Sequence, residues 1–416
     1  MTAQNTPEDV QRGHRSDRLP LAFILITVML DTVGIGLIIP VMPDLIREVD
    51  GGTLAEAAVW GGVLTTVFAV MQFLCAPLMG SLSDRFGRRP ILLATLLIMA
   101  LDYLVMAVAG ALWLLFIGRV VGGIVAATQA TATAYIADIS QPDQKAARFG
   151  LIGAAFGVGF VLGPLLGGLL AEFGTRAPFY AAACLAAANM VFGYFVLPET
   201  VTDATRRAFS WARSNPFGAF QQVNALPGLG RLIVVFFVYQ VAFWVYPSVW
   251  AYFGQARFGW SPGMIGLSLA SFGVSIAIVQ GGLIRLMLRW FGDRGTVLFG
   301  LCFNFCAFLA LAFVTNSTLA LILTPLTALG AVVTPALQGI MSRAVANNAQ
   351  GELQGVLTSA QALSMIVSPI AMTSVFYAFT NPDAPVFMPG APFLLSMSLM
   401  VVCLVVYRLR PLARSA

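Results

Sequence analysis

Charge-free apolar runs recur along the whole 416-residue chain, and each is about as long as a bilayer is thick. A helix needs about 20 apolar residues to cross a hydrocarbon core. Residues 57–83, 149–171, 177–198, 232–256, 258–284 and 384–407 contain no Asp, Glu, Lys or Arg. Run 295–342 is long enough for two crossings around the polar turn Thr315-Asn316-Ser317, and 353–382 supplies one more. Residues 20–42, 91–110 and 111–136 are each interrupted by one charge: Asp31, Asp102 and Arg119. The pattern predicts an all-α integral membrane protein. Its twelve helices fall near 20–42, 58–81, 91–109, 112–136, 147–171, 178–197, 229–253, 263–286, 296–314, 318–341, 353–377 and 389–408.

Composition agrees. Only 10% of residues are charged, against about 25% in a soluble domain, and mean hydropathy is +0.86. The net charge of +5 raises the question of a nucleic-acid partner, but the placement of the basic residues answers it. With both termini on the cytoplasmic side, nineteen of the 23 Lys and Arg fall in cytoplasmic segments, and only Arg47, Arg176 and Arg257 fall outside. That asymmetry is the positive-inside pattern, so the expected partner is the lipid bilayer and no nucleic acid. No small-residue cleavage site follows the basic arm, so no signal peptide is expected. The five cysteines lie in apolar stretches and are read as buried hydrophobes rather than disulfides or metal ligands. His14, the single histidine, sits in the polar arm and receives no role.

Domain boundaries follow from the same pattern: a cytoplasmic arm 1–19, a six-helix half 20–197, a cytoplasmic linker 198–227, a second six-helix half 228–408 and a tail 409–416. The linker is too short for a domain and too polar to span. The halves look related. An offset of 205 residues sets RFGRRP (85–90) on WFGDRG (290–295), and Gly163-Pro164 on Ser368-Pro369. Parallel repeats about the membrane normal are a transporter architecture, with the pathway between halves near the midplane.

Three stretches carry chemistry. In GSLSDRFGRRP (80–90), Gly80 permits helix contact, Gly87 a tight turn, and Asp84 can pair with an arginine. Arg85, Arg88 and Arg89 hold the loop on one side of the membrane, and Asp138 is an available partner for one of them. In GAAFGVGFVLGPLLGG (153–168), Gly153, Gly157, Gly163 and Gly167 leave a face where another backbone can approach, and Pro164 interrupts the hydrogen-bond ladder. In VMLDTVGIGLIIP (28–40), Asp31 sits at membrane depth, where an ionised carboxylate costs about 2.5–3.5 kcal/mol. An acid there must face a cavity, pair with a cation or hold a proton. If its surroundings alternate between dry and wet, it takes up a proton on one side and releases it on the other. Asp31 and Asp102 fit that role, with Arg119 as counter-charge; the alternative is a structural acid–base lock. A potential of 100 mV supplies about 2.3 kcal/mol per charge moved.

The loop 80–90 resembles the signature loop of the major facilitator superfamily, and 153–168 resembles the antiporter motif of its drug exporters. With LDYLVMA (101–107), ALWLLFIGRVVGG (111–123) and PALQGIMS (335–342), nearly the whole chain resembles the TetA-type tetracycline/proton antiporters. The resemblance implies a major facilitator fold of two pseudo-symmetric six-helix halves in the bacterial inner membrane. It implies export of an amphipathic drug in exchange for protons, without catalysis, cofactor or protein-bound metal. A tetracycline-like substrate would travel as a divalent-cation chelate, and a monomer would suffice. It also implies that Asp31, Asp84, Asp102, Arg119 and Asp138 serve coupling and gating, that loop 80–90 latches the halves, and that Gln280 lines the substrate path. Gln240, Trp244 and Asn304 are further substrate-site candidates, with Trp250 and Tyr252 as interfacial anchors. Two positions depart from the pattern. Asn304 stands where those pumps carry an intramembrane aspartate, and Ile276 stands where some carry a histidine. An amide carries no proton near neutrality, so coupling rests on Asp31 and Asp102, and another substrate or an uncoupled uniporter remains open.

Overall fold

The computed structural model describes residues 18–126, 128–141, 144–203, 206, 215, 228–346 and 349–408. Most of the arm 1–19, most of the linker 198–227 and the tail 409–416 lie outside them. The described residues are helical, with no strand among them.

Among the described residues, eleven helices have the length and composition of a membrane span. They are Leu19–Ile38, Leu54–Phe86, Arg88–Val108, Leu112–Ile139, Ala147–Phe173, Ala177–Val196, Gly230–Phe258, Pro262–Phe313, Ser317–Ala344, Gln350–Ala378 and Ala391–Arg408. Pro262–Phe313 runs for 52 residues, roughly 78 Å of helix, more than twice the hydrocarbon core. At Gly292 the backbone leaves helical geometry (φ 64°, ψ 177°). Across this point the Phe291 and Phe299 rings stack with centroids 5.6 Å apart, whereas eight residues of straight helix would separate them by about 12 Å. The helix is broken there into two segments, each long enough to cross. Counting these two separately, the segments are numbered here as spans 1 to 12, with 262–291 as span 8 and 293–313 as span 9.

Two further features differ from the expected boundaries. Residues Met42–Asp50 form a short helix outside the spans that buries Met42, Pro43, Leu45 and Ile46. Span 7 breaks between Gly230–Phe243 and Val245–Phe258. Pro247 accounts for that break, because its ring clashes with the carbonyl four residues earlier and it has no N–H to donate. Pro164, by contrast, lies inside the continuous helix Lys145–Leu170.

Close backbone packing joins the spans. A Cβ built on Gly159, Gly163 or Gly167 of span 5 would fall 2.5, 2.7 or 2.2 Å from the carbonyl oxygens of Met29, Val33 and Leu37 in span 1. Glycine every fourth residue lets the two helices touch along one stripe. Gly153 and Gly157 do not join this contact: nothing lies within 4 Å of a Cβ there. Gly159, not singled out in the sequence, takes that place.

Two other seams cross the molecule. Gly62 of span 2 faces Thr373 and Pro369 of span 11, and the Thr66 hydroxyl donates to the Ile366 carbonyl at 3.0 Å. Gly168 and Pro164 of span 5 face Gly263 and Gly266 of span 8. All these contacts lie toward the membrane face opposite loop 84–89. Nearer that loop, Gly80, Gly281 and Gly282 have open space around them.

The aromatic residues of span 7 form a core. Tyr246 meets Phe272 at 4.8 Å between centroids, and Phe253 meets Phe393 at 5.0 Å. Trp250 and Tyr252 are therefore not interfacial anchors. Both are buried, and the Trp250 indole donates to the Ser268 hydroxyl at 2.8 Å. The cysteines also depart from expectation. None is disulfide-bonded and Cys403 is buried, but Cys184, Cys302 and Cys306 are exposed. In a membrane span, an apolar sequence does not specify the interior, because the outer face meets lipid.

Candidate functional site

Each of the three charges that interrupt spans 1, 3 and 4 reaches one pocket. Asp31, Thr32 and Ile35 of span 1 line it, with Phe68 and Gln72 of span 2, Met99, Asp102 and Tyr103 of span 3, Arg119 and Gly122 of span 4, and Phe156 of span 5. Asp31 also lines a second pocket with Gly34, Tyr103 and Ala186. One Asp31 oxygen is buried without a hydrogen-bond partner. Among the described residues Asp31 forms no ion pair, so the lock with Arg119 is not made by Asp31 in this conformation. Tyr103 lies flush on span 1: a Cβ on Gly34 would overlap its hydroxyl.

Asp102 is the acid that faces Arg119. Both are buried, and a carboxylate oxygen lies 3.8 Å from the guanidinium. That is longer than the roughly 2.7–2.9 Å of a charge-assisted hydrogen bond. The other Asp102 oxygen and Arg119 Nε have no hydrogen-bond partner. The guanidinium is held instead by the Met106 sulfur at 2.6 Å and lies 5.3 Å from the Phe68 ring centroid. The pocket thus contains two carboxyls and one base whose polar atoms are only partly satisfied, a costly arrangement in a low-dielectric interior.

The loop after span 2 is built around Arg88. Its guanidinium pairs with Asp84 at 2.6 Å and Asp138 at 3.2 Å, and donates to the Ser83 hydroxyl at 2.6 Å. Gly87 turns the chain at φ 109°, a left-handed value that favours glycine. Glu199 caps the start of span 3 by accepting from the backbone N–H groups of Arg88 at 2.9 Å and Arg89 at 3.1 Å. Arg89 donates to the Tyr194 carbonyl at 2.7 Å. Arg85 is exposed and lies over Phe86, 5.1 Å from its centroid.

The other candidates lie apart from the pocket. Gln240 is buried and accepts from the Thr334 hydroxyl at 3.2 Å. Trp244 is half-buried at the break of span 7. Gln280 is exposed within the π-helical turn Val279–Leu283. Asn304 is fully buried, and its amide donates to the carbonyls of Gly300 at 2.9 Å and Gly330 at 3.0 Å. Among the described residues no cluster of three His, Cys, Asp or Glu side chains could hold a metal. Sequence reasoning missed Tyr103, Gln72, Phe68 and Glu199. Gln72 carried a signal, as an amide in the middle of a charge-free run; Glu199 carried none, because its role depends on a fold-back of 110 residues.

Known proteins place this architecture. The profile of the Major Facilitator Superfamily matches residues 24–369. The chain is 41% identical over 385 residues to the tetracycline resistance protein, class C, of Escherichia coli, covering 92% of this chain and 95% of that one. It is 39% identical to the class G protein of Vibrio anguillarum, covering 94% and 97%. A bacterial homologue of the human lysosomal transporter Spinster shares the fold, with a TM-score of 0.78 at 15% identity over 95% of this chain and 96% of that one. The chain is an integral multi-pass membrane transporter rather than an enzyme, and it belongs to the major facilitator superfamily.

Proposed function

We propose that this protein exports amphipathic drugs of the tetracycline type from bacteria in exchange for protons, by alternating access between two six-span halves. The observation that carries the reading is the convergence of Asp31, Asp102 and Arg119 on one largely apolar pocket. An acid at membrane depth without a fixed partner is a group able to carry a proton across. The names of the resistance-protein relatives support the drug class.

Three recurrences at the 205-residue offset support the two halves. Gly87 and Gly292 both turn the chain at positive φ. The Arg88–Asp138 pair recurs as Asp293–Arg343. Gly163 packs on Gly36, and at the matching positions Ser368 donates to the Val241 carbonyl at 2.8 Å. By the positive-inside pattern, loop 84–89 and both termini face the cytoplasm of the inner membrane. The seams closed at the opposite face then describe a carrier open inward, and loop 80–90 latches the halves in the outward-facing state. A monomer contains every group this scheme uses. It calls for no resident cofactor, and a tetracycline substrate would travel as its divalent-cation chelate.

A second reading is favoured by Asn304. The residue is locked into packing and cannot titrate, so a carrier relying on span 9 for its proton would be an uncoupled uniporter; export of a different drug or metabolite is the remaining alternative. Inverted membrane vesicles separate these readings. A pH gradient, acid inside, is expected to drive uptake of tetracycline by the wild type and not by Asp31→Asn. Uptake unaffected by the gradient establishes the uniporter, and gradient-driven uptake of a dye or quinolone instead of tetracycline changes the substrate. Equal gradient-driven uptake by both proteins removes Asp31 from the mechanism.

A further inference from the structure

The Asp102 carboxyl rests against bare backbone. A Cβ on Gly118 would lie 2.9 Å from one of its oxygens, and a Cβ on Gly122 would lie 2.8 Å from the other. The two glycines are one turn apart on span 4 and present one face to span 3. The carboxyl therefore lies across that turn with each oxygen over one missing side chain. Arg119, the residue after Gly118, approaches the same carboxyl from the side at 3.8 Å. Neighbouring groups do not hold the acid in place: one of its oxygens has no hydrogen-bond partner, and the guanidinium is engaged by Met106 and Phe68. The slot itself fixes the separation of the pair.

We propose that Gly118 and Gly122 are positioning residues that seat the Asp102 carboxyl beside Arg119, so that the absence of two methyl groups sets the geometry of this acid–base pair. The inference rests on the proton-coupled reading above. Contact closer than 3.0 Å is not tolerated by a Cβ, so an alanine at either position must displace the carboxyl. The titratable or charged groups lining the pocket around Asp102 are Asp31, Tyr103 and Arg119, and the displacement changes the distance to each. Gly123, next in the chain, provides an internal control. A Cβ there would strike the Phe68 carbonyl oxygen at 2.5 Å, which disturbs the packing of spans 2 and 4 without reaching Asp102.

The test measures gradient-driven tetracycline uptake against pH in proteoliposomes for wild type, Gly122→Ala, Gly118→Ala and Gly123→Ala. Each is repeated with Asp102→Asn, and binding to detergent-solubilised protein at one pH checks folding. Gly122→Ala and Gly118→Ala are expected to move the midpoint of the pH profile by roughly one unit, with tetracycline affinity within twofold of wild type. Gly123→Ala is expected to lower the amount of folded protein without moving the midpoint. In the Asp102→Asn background the shift should disappear. If Gly122→Ala does not fold, Gly118→Ala decides, because its second neighbour is the flexible Met106 side chain. An unmoved midpoint, or an equal shift without the Asp102 carboxyl, overturns the inference while leaving proton coupling intact. A wild type whose uptake ignores the gradient overturns the underlying reading, and this inference with it.

Discussion

The first six spans and the last six differ in charge. At the loop face, Asp84, Arg88 and Asp138 of the first set correspond, at the 205-residue offset, to Arg289, Asp293 and Arg343 of the second. Every sign is reversed. In both places a charged residue just after a positive-φ glycine reaches an opposite charge on a distant helix: Arg88 meets Asp138 at 3.2 Å, and Asp293 meets Arg343 at 2.5 Å. What recurs is opposition between two positions, not a particular acid or base. The membrane interior behaves differently. The positions matching Asp31, Asp102 and Arg119 are Phe236, Ala307 and Thr324, and the second set fills its interior with the aromatic cluster around Tyr246 and Trp250. One set carries three charges at membrane depth; the other has uncharged residues at the matching positions.

That contrast can be broken at its strongest point first. Asp31→Asn is expected to reduce gradient-driven uptake to background, whereas Phe236→Leu at the matching position retains it once corrected for the amount of folded protein. Packing comes next. Gly163→Ser should cost about 1–3 kcal/mol, because its Cβ meets the Val33 carbonyl, although serine is the natural residue at the matching position 368. Ser368→Ala should cost only about 1 kcal/mol, the loss of one hydrogen bond. Denaturant titration of purified protein measures both.

The effects at the two loop-face pairs are set by how exposed each arginine is. The Arg88 side chain is 11% exposed and Arg343 is 60% exposed. Arg88→Ala should therefore cost about 2–3 kcal/mol by leaving Asp84 and Asp138 without their shared partner, and Arg343→Ala under about 1 kcal/mol. Inverting all three signs together (Asp84→Arg, Arg88→Asp, Asp138→Arg) should recover most of the stability lost in Arg88→Ala. Failure to recover would show that Ser83 and Glu199 make the sign specific, and would end the equivalence drawn between the two brackets.

The crossings were legible because hydropathy is local and each span carries its own signal. What escaped depended on neighbours. The helix Met42–Asp50 is half polar and too short to register as a span. The length of span 8 was underestimated because Arg285 and Arg289 look like a loop until helix 284–291 is seen to continue through them. In the pocket, the three charges stood out against apolar runs. Tyr103, Phe68 and Glu199 did not, since their importance comes from residues 51 to 111 positions away. The same argument explains Gly153 and Gly157: small residues mark where a helix can be approached, and only the partner determines where it is.

The seams closed by glycine at one face lie far from the loops. From Gly62 to Arg85 the helix runs roughly 35 Å, so a tilt of about 10° at the seam displaces the far tip by about 6 Å. In the alternating access proposed above, a small rearrangement among Gly62, Thr373, Gly168 and Gly266 becomes a large stroke at the opposite membrane surface. On that reading the carrier is a lever whose fulcrum is packed mainly by glycine.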